Sequence, residues 1–585
     1  MSREKLRELL KKQEEARSER LERILNSNHP KKVIISGPGT GKTYTFKELF
    51  KKQQGKYLAL TFINNLAEKL KKDLNGIAKS CTFHSFCIGL LHKINNKNIN
   101  EDFVIFPKLE LIIKSDAQII LNEDLDFKRS FAEIDYKSKN IPFFLKRSGY
   151  YNAVSFYDSV YRVFEYFKKN PNEIPEYDHI VVDEYQDFNK LEVEFINILE
   201  TKSPILIVGD DDQALYTQLK YASPQYIREK IKDHKYKRYY LPFCSRCTEV
   251  VIGAIHNIIK KAKENGKLEE RVNRDFHCYL PEKYLDNEKY PKIVHANCSI
   301  QRQNAPYIAK FIEQEIDNLT AAEIEETNSK SDYTVLITGP KRYLKQINSY
   351  LKQKGKYIPD PLYKEFDPEQ KKIKIFDGYK VLLENKFSNL GWRILLECDS
   401  IGNIENLLKE TLKNNTIQLY DYLPKSYIKR HEFKLNILKK VRDEQKLTPK
   451  EEEELENLFN VELNNIKLKL IEEEDIKKRN DEEDYASDKI TVALTTYVGC
   501  KGFSAGFVFI VGLNDGILPI NNNNPSDIEI CQFIVALART IKKCYLISVN
   551  RFAGKPEGEK SLFIGWINTD RITFEEVNAK YWKRI

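Results

Sequence analysis

One stretch limits the choice of fold more than any other: Ser36-Gly37-Pro38-Gly39-Thr40-Gly41-Lys42-Thr43. The run Lys32-Val33-Ile34-Ile35 before it reads as a buried strand, and Phe46, Leu49 and Phe50 after it recur at helical spacing. Strand, glycine-rich loop and helix in that order predict a phosphate-binding loop. The glycines let backbone N–H groups turn inward around an anion, and the helix N-terminus adds favourable partial charge. On this reading Lys42 reaches the β- and γ-phosphates of a nucleotide, and the Thr43 hydroxyl is a ligand of Mg2+. Ser36 stands where the strict pattern has glycine.

The residues around this loop predict its setting. Residues 3–25 carry leucines near helical spacing and read as a surface helix leading into the first strand. A second strand is expected over 57–62 and a second helix over 66–74. Strand–helix alternation argues for the α/β class with parallel sheets. Residues 92–172 are polar and aromatic, with helical periodicity around Val160–Phe167, and read as an insertion because strand patterns resume at His179 and again at Pro204. A second alternating region starts near 244. Its strands are expected at 291–295, 333–338, 489–494, 507–511 and 544–549, with a helix over 528–540. Residues 388–484 read as helical and acidic, and Leu455, Leu458, Phe459, Leu463, Ile466 and Leu470 fit one helix face. The expectation is two α/β halves, each with a mainly helical insertion: 1–91 with 173–243 around an insertion at 92–172, and 244–387 with 485–585 around an insertion at 388–484.

Length and composition bound the rest. A chain of 585 residues holds several domains. Its net charge of +9 suits a polyanionic partner. No apolar run approaches the ~18 residues of a membrane span, so no membrane partner is expected. The start is charged from Arg3, unlike a secretory signal. The 10 cysteines are scattered, which suits a reducing cytoplasm. Cys244 and Cys247 form a tight pair, short of the four ligands of a zinc site.

A second constellation belongs with the loop. Asp183-Glu184 closes an apolar strand and is followed by Tyr185-Gln186-Asp187. In a phosphate-loop protein Asp183 would hold Mg2+ through water, and Glu184 would position and deprotonate the attacking water. Gly209-Asp210-Asp211-Asp212-Gln213 adds a polar cluster. Gln213 suits γ-phosphate sensing, since an amide both donates and accepts.

Together these residues resemble the UvrD/Rep branch of superfamily 1 DNA helicases. The loop at 36–43 is similar to that branch's phosphate loop, Thr61-Phe62-Ile63-Asn64 to its motif Ia, and Thr82-Phe83-His84-Ser85-Phe86 to motif Ib. Asp183–Asp187 resembles motif II, Val208–Tyr216 motif III, Arg246 the arginine of motif IV, Lys501-Gly502 motif V and Val535–Arg539 motif VI. The resemblance implies two RecA-like domains with ATP and Mg2+ in the cleft between them. It implies Arg246 and Arg539 as arginine fingers from the far side, and single-stranded DNA bound near Thr61, Phe62, Asn64, Thr82, His84 and Lys501. The implied activity is ATP-driven 3′→5′ translocation and unwinding.

Several positions depart from the family pattern. An adenine-reading Gln normally follows Leu-Asn; Gln13 follows Leu9 at the right interval, with Leu10 in place of Asn. Ser245 replaces the Tyr before the motif IV arginine, and Phe503-Ser504 replace Leu-Glu after Lys501-Gly502. Leu219 stands where a base-stacking aromatic is usual, with Tyr221 two residues on as the remaining DNA platform. These departures support a second expectation: a DNA-sensing ATPase switch that regulates a partner nuclease without robust unwinding. The helicase-like subunits of the Gabija antiviral defence system are partnered in that way.

Overall fold

The computed structural model describes residues 3–52, 55–61, 64–74, 76–98, 103–279, 290–299, 304–362, 373–399, 404–459 and 489–583. Phe62 and the expected helix-face residues Leu463, Ile466 and Leu470 lie outside them.

Six parallel strands form the first sheet: Lys31–Ser36 (β1), Tyr57–Thr61 (β2), Lys79–Thr82 (β3), His179–Val182 (β4), Ile205–Gly209 (β5) and Lys237–Leu241 (β6), in the order β3-β2-β4-β5-β1-β6. β1 sits between β5 and β6, with Val33 opposite Ile207 on one side and Arg238 on the other. Side chains alternate between the faces. Ile34, Ala59, Val181 and Leu206 pack with Ile24, Phe46 and Phe50. Val33, Leu60, Val182 and Ile207 pack with Phe83 and Phe195 on the opposite face. A parallel sheet needs this double cover, and it explains why the central strands read as unbroken apolar runs.

The second sheet has seven parallel strands: Ile293–Cys298 (β7), Tyr333–Thr338 (β8), Pro359–Pro361 (β9), Val492–Thr495 (β10), Ala505–Val511 (β11), Thr540–Val549 (β12) and Ile572–Val577 (β13), in the order β9-β10-β8-β11-β12-β7-β13. The helix before β12 covers Asp527–Leu537, and the strand begins at Thr540, four residues ahead of the expected start. Thr540 pairs with Ala505 of β11, and that backbone pairing extends the strand through Lys542 and Lys543.

Helices build two further bodies. Leu109–Leu121, Asn140–Tyr150 and Phe156–Lys169 belong to the first. The last of these starts at a capping box between Ser155 and Asp158. Ile375–Glu384, Asn389–Cys398 and Lys425–Arg442 belong to the second. The first two of these pack against each other, so this body takes in residues on both sides of position 388. One apolar core runs through both bodies, joining Leu109 and Phe144 to Trp392 and Leu435. At their junction Asp116 lies between Arg147, at 2.7 Å, and Arg393, at 2.8 Å, with all three side chains 0% exposed. Arg147 also donates to Thr411 (3.0 Å), and Arg393 to Ser115 (2.9 Å). Among the described residues no helix is long and apolar enough to cross a membrane.

Candidate functional site

The phosphate loop joins β1 to the helix Lys42–Lys51. Gly39 and Gly41 have φ of 67° and 89°, a left-handed backbone that a side chain would strain. The Thr40 hydroxyl donates to the Gly37 carbonyl (2.9 Å) and draws the loop in on itself. Ser36 Oγ is buried with no hydrogen-bond partner. Residues following the first sheet press on the loop from outside. Ser245 donates to the Gly39 carbonyl through its backbone N (2.9 Å) and its hydroxyl (3.1 Å). A Cβ on Gly39 would lie 2.5 Å from that of Arg246, and one on Gly37 would lie 2.4 Å from the Phe276 ring. A cavity of about 500 Å³ opens here, with Gly39–Tyr44 on one wall and Arg246, Tyr290, Lys330 and Lys542 on the other.

Behind the loop the predicted acidic residues converge. Lys42 Nζ lies 2.6 Å from Glu184 and 3.8 Å from Asp183. Glu184 has φ of 54°, a left-handed backbone on a non-glycine residue of the kind that collects at functional sites. Gln186 Nε2 donates to Glu184 (2.6 Å), while its Oε1 accepts from the Asp210 backbone N (2.9 Å). Glycine is needed at 209 because a Cβ there would lie 2.5 Å from that amide oxygen. Burial pushes Asp183 up to about 6 against the opposing charge of Lys42. Burial acts the same way on Glu184, but Lys42 and Lys501 outweigh it and hold that carboxyl well below the usual range. Asp183 and Glu184, neighbours in the run Asp183–Asp187, are therefore shifted in opposite directions.

The two predicted arginines come from beyond the first sheet, Arg539 reaching Gln213 and Arg246 lining the cavity beside the loop. Arg539 follows the helix Asp527–Leu537 and is buried. It donates to the carbonyls of Val535 (2.9 Å) and Phe503 (3.2 Å) and to Gln213 Oε1 (3.2 Å). Arg246 lines the cavity, and its charge together with burial lowers the proton affinity of Arg539. Pro38 and Thr40 lie within the loop; Thr40 and Thr43 line the cavity. Thr43 and Asp183 offer hydroxyl and carboxylate oxygens, the hard donors that Mg2+ takes. Gln13 sits on the helix Arg3–Leu25, where its Nε2 donates to the Cys278 carbonyl (3.3 Å) and its Oε1 is buried without a partner.

The expected DNA contacts divide in two. Lys501 is 4% exposed and lies in the cluster, 2.5 Å from Asp187, 3.3 Å from Glu184 and 2.7 Å from the Gln213 carbonyl. Thr61 is 0% exposed at the end of β2. Both side chains are buried: Lys501 is engaged by the acidic cluster, whereas the Thr61 hydroxyl has no hydrogen-bond partner. Thr82 is buried and bonds Ser85 (2.9 Å) at the start of the helix Phe83–Asn98. Asn64 opens the helix Asn64–Asp73. His84 is half-buried, its ring 6.2 Å from that of Phe156, which is 42% exposed. Burial, and then Lys220, hold the His84 imidazole down to about 4. Burial raises Glu192 to about 7, so its 3.9 Å approach to His84 is no strong ion pair. Tyr221 donates to Asp126 (3.0 Å) of the first helical body. Lys128 over Tyr157 (5.7 Å) and Lys220 over Tyr216 (5.9 Å) lie on the same side.

Sequence reading missed part of this surface. Tyr44 directly follows the loop and was open to notice. Lys330, Lys542 and Phe156 carry no local signal, because only the packing of distant segments brings them to the cavity or beside His84.

A family model described as an AAA domain matches residues 21–218. The chain is 24% identical to a probable DNA helicase II homolog of Mycoplasma genitalium, over 92% of this chain and 85% of that protein. It is 24% identical to the ATP-dependent DNA helicase PcrA of Staphylococcus aureus, over 83% of this chain and 76% of that protein. With PcrA of Staphylococcus epidermidis the identity is 25%, over 86% and 78%.

Proposed function

We infer that this chain, a member of the UvrD/Rep-like helicases, is an ATP-dependent DNA helicase that hydrolyses ATP between its two sheet domains and moves 3′→5′ on single-stranded DNA. The observation that carries the reading is the meeting of Lys42, Glu184 and Gln213 from one half with Arg246 and Arg539 from the other. The inward-turned loop receives the phosphates, and Lys42 exchanges Glu184 for a phosphate oxygen. That exchange frees the Glu184 carboxylate to orient and accept a proton from water. Thr43 and Asp183 would hold Mg2+, which would supply positive charge to the phosphates. Arg246 and Arg539 meet charge developing on the transferred phosphoryl group, and planar guanidinium groups suit that task. Gln213 reports the γ-phosphate to the far half through Arg539. DNA runs over the face of His84, Phe156 and Tyr221. All 10 cysteines are free thiols, which supports the cytoplasm as its compartment.

Steady-state ATPase and duplex unwinding on tailed DNA test the proposal together. Glu184→Gln is expected to bind ATP and lose turnover, because shape is kept while charge and basicity go. Wild-type turnover in that variant overturns the assignment. DNA-stimulated ATPase without unwinding replaces the helicase by the DNA-sensing switch.

A further inference from the structure

Asp210, Asp211 and Asp212 follow one another at the end of β5, all buried, with carboxylate oxygens within 4.8 Å of one another. Such a cluster could suggest a cation site, but three guanidinium groups already fill it. Arg274 contacts all three carboxylates: Asp210 through Nη2, Asp211 at 2.5 Å and Asp212 at 2.5 Å. Arg271 lies 2.7 Å from Asp212, and Arg228 lies 3.2 Å from Asp211. Three negative charges face three positive ones.

These arginines come from different places. Arg228 stands on the helix Gln225–Lys232, beside its own sheet. Arg271 and Arg274 follow the helix Glu249–Glu264, which packs on Asp527–Leu537 of the other half. The same strap is tied to that half by the Leu268 backbone N, which donates to Asp527 (3.1 Å). Further on, Phe276 covers Gly37 of the phosphate loop. The strap therefore belongs to one half and clasps the other beside the nucleotide.

A buried ion pair contributes little net stability compared with an apolar replacement, so its role is better sought in what it holds. Asp210 Oδ2 accepts from Gln213 Nε2 (2.7 Å), and Gln213 Oε1 accepts from Arg539 (3.2 Å). One amide is thus oriented at both ends. Its NH2 is claimed by the aspartate that Arg274 anchors, and its oxygen by the arginine of the far half. Without Arg274, Asp210 faces Asp212 and Asp211 with no bridging charge, and burial favours its protonated form. A protonated carboxyl is a poorer acceptor, and the Gln213 amide is then held at its oxygen end alone.

We propose that Arg274 is a positioning residue that orients Gln213 through Asp210, so that Gln213 is set for hydrolysis only when the strap of the second half is docked on the first. This rests on the reading of the cleft as an ATPase. Domain closure then has a direct line to the γ-phosphate sensor, separate from the arginine fingers themselves.

Single-turnover ATP hydrolysis and binding of a fluorescent ATP analogue, measured on wild type, Arg274→Ala, Arg274→Lys, Arg228→Ala, Gln213→Ala and the Arg274→Ala/Gln213→Ala double variant, test it. Arg274→Ala is expected to hydrolyse about 10- to 100-fold more slowly at unchanged analogue affinity. Arg274→Lys recovers part of the rate, because an ammonium cannot bridge three carboxylates. Arg228→Ala, which bears on Asp211, stays within about twofold of wild type. The double variant is no slower than Gln213→Ala alone, since the first change acts through the second. Multiplying effects in the double variant, or a wild-type rate in Arg274→Ala, overturn the proposal. Amide exchange at Asp212 and Gln213 gives a readout independent of turnover: it should quicken in Arg274→Ala, and more so than in Arg274→Lys. An inactive wild type with that exchange difference intact would sink the ATPase reading and leave the clamp standing. Equal exchange in all variants would sink the clamp. If Arg274→Ala does not fold, Arg274→Lys against Arg228→Ala carries the same contrast.

Discussion

Arg539 spreads one guanidinium over three acceptors, two of them carbonyls of its own half and the third the Gln213 amide. A lysine presents a single point charge and cannot hold that fan. Arg539→Lys is therefore expected to hydrolyse ATP about 10³-fold or more slowly, close to Arg539→Ala, given that a finger arginine is worth about 10³–10⁵ in rate. A rate within tenfold of wild type in the kinetic assay would show that charge alone suffices. Lys42→Ala is expected to lose nucleotide binding in an equilibrium titration, while Lys501 still pairs with Glu184 at 3.3 Å and keeps the fold. Lys42, Asp183, Glu184 and Gln213 were legible because each sits in a short pattern beside a strand. Lys501 shows the limit of such patterns. Its motif was recognisable, but its partner Asp187 lies 314 residues away, and nothing local says which side of a cleft a lysine will take.

Single strands and helices differ in how openly they declare themselves. The central strands β1, β4, β5 and β11 read directly from apolar runs, since both their faces are covered. The edge strands β3 and β6 did not. Lys237–Leu241 is mostly exposed or half-buried and spells a basic-aromatic run, so pairing with β1 rather than composition makes it a strand. The long helix Lys425–Arg442 carries a prediction of its own. His431 is 1% exposed, with Nδ1 2.7 Å from the Tyr379 hydroxyl and Nε2 3.0 Å from Asp399. Burial outweighs Asp399 and lowers its pKa from 6.5 to about 4. Between those values the unfolded chain binds a proton that the folded chain refuses, so this group adds stability as pH rises and loses it as pH falls. From pH 6.5 to about 5 the linkage amounts to about 2 kcal/mol at most. His431→Gln should flatten the pH dependence of urea unfolding by that amount over this window. An unchanged slope would mean the ring is charged in the folded protein.

At the scale of the whole molecule, binding to DNA should behave as a phosphate grip spread over Lys128, Lys220 and their neighbours. Affinity for single-stranded DNA is expected to fall steeply between about 50 and 200 mM salt, and a flat titration would exclude that grip. The same scale gives meaning to Asp116, wedged between Arg147 and Arg393 with no exposed surface. Removing Asp116 would leave the Arg147 and Arg393 guanidinium groups facing each other in the core, so Asp116→Ala is expected to cost about 3–5 kcal/mol in chemical denaturation. Sliding one helical body past the other would part Arg393 from Asp116 and break that bridge. The two insertions are therefore geared together as a single lever arm. A displacement of either one then carries the other with it, and the molecule has fewer independent joints than its four-part sequence suggests.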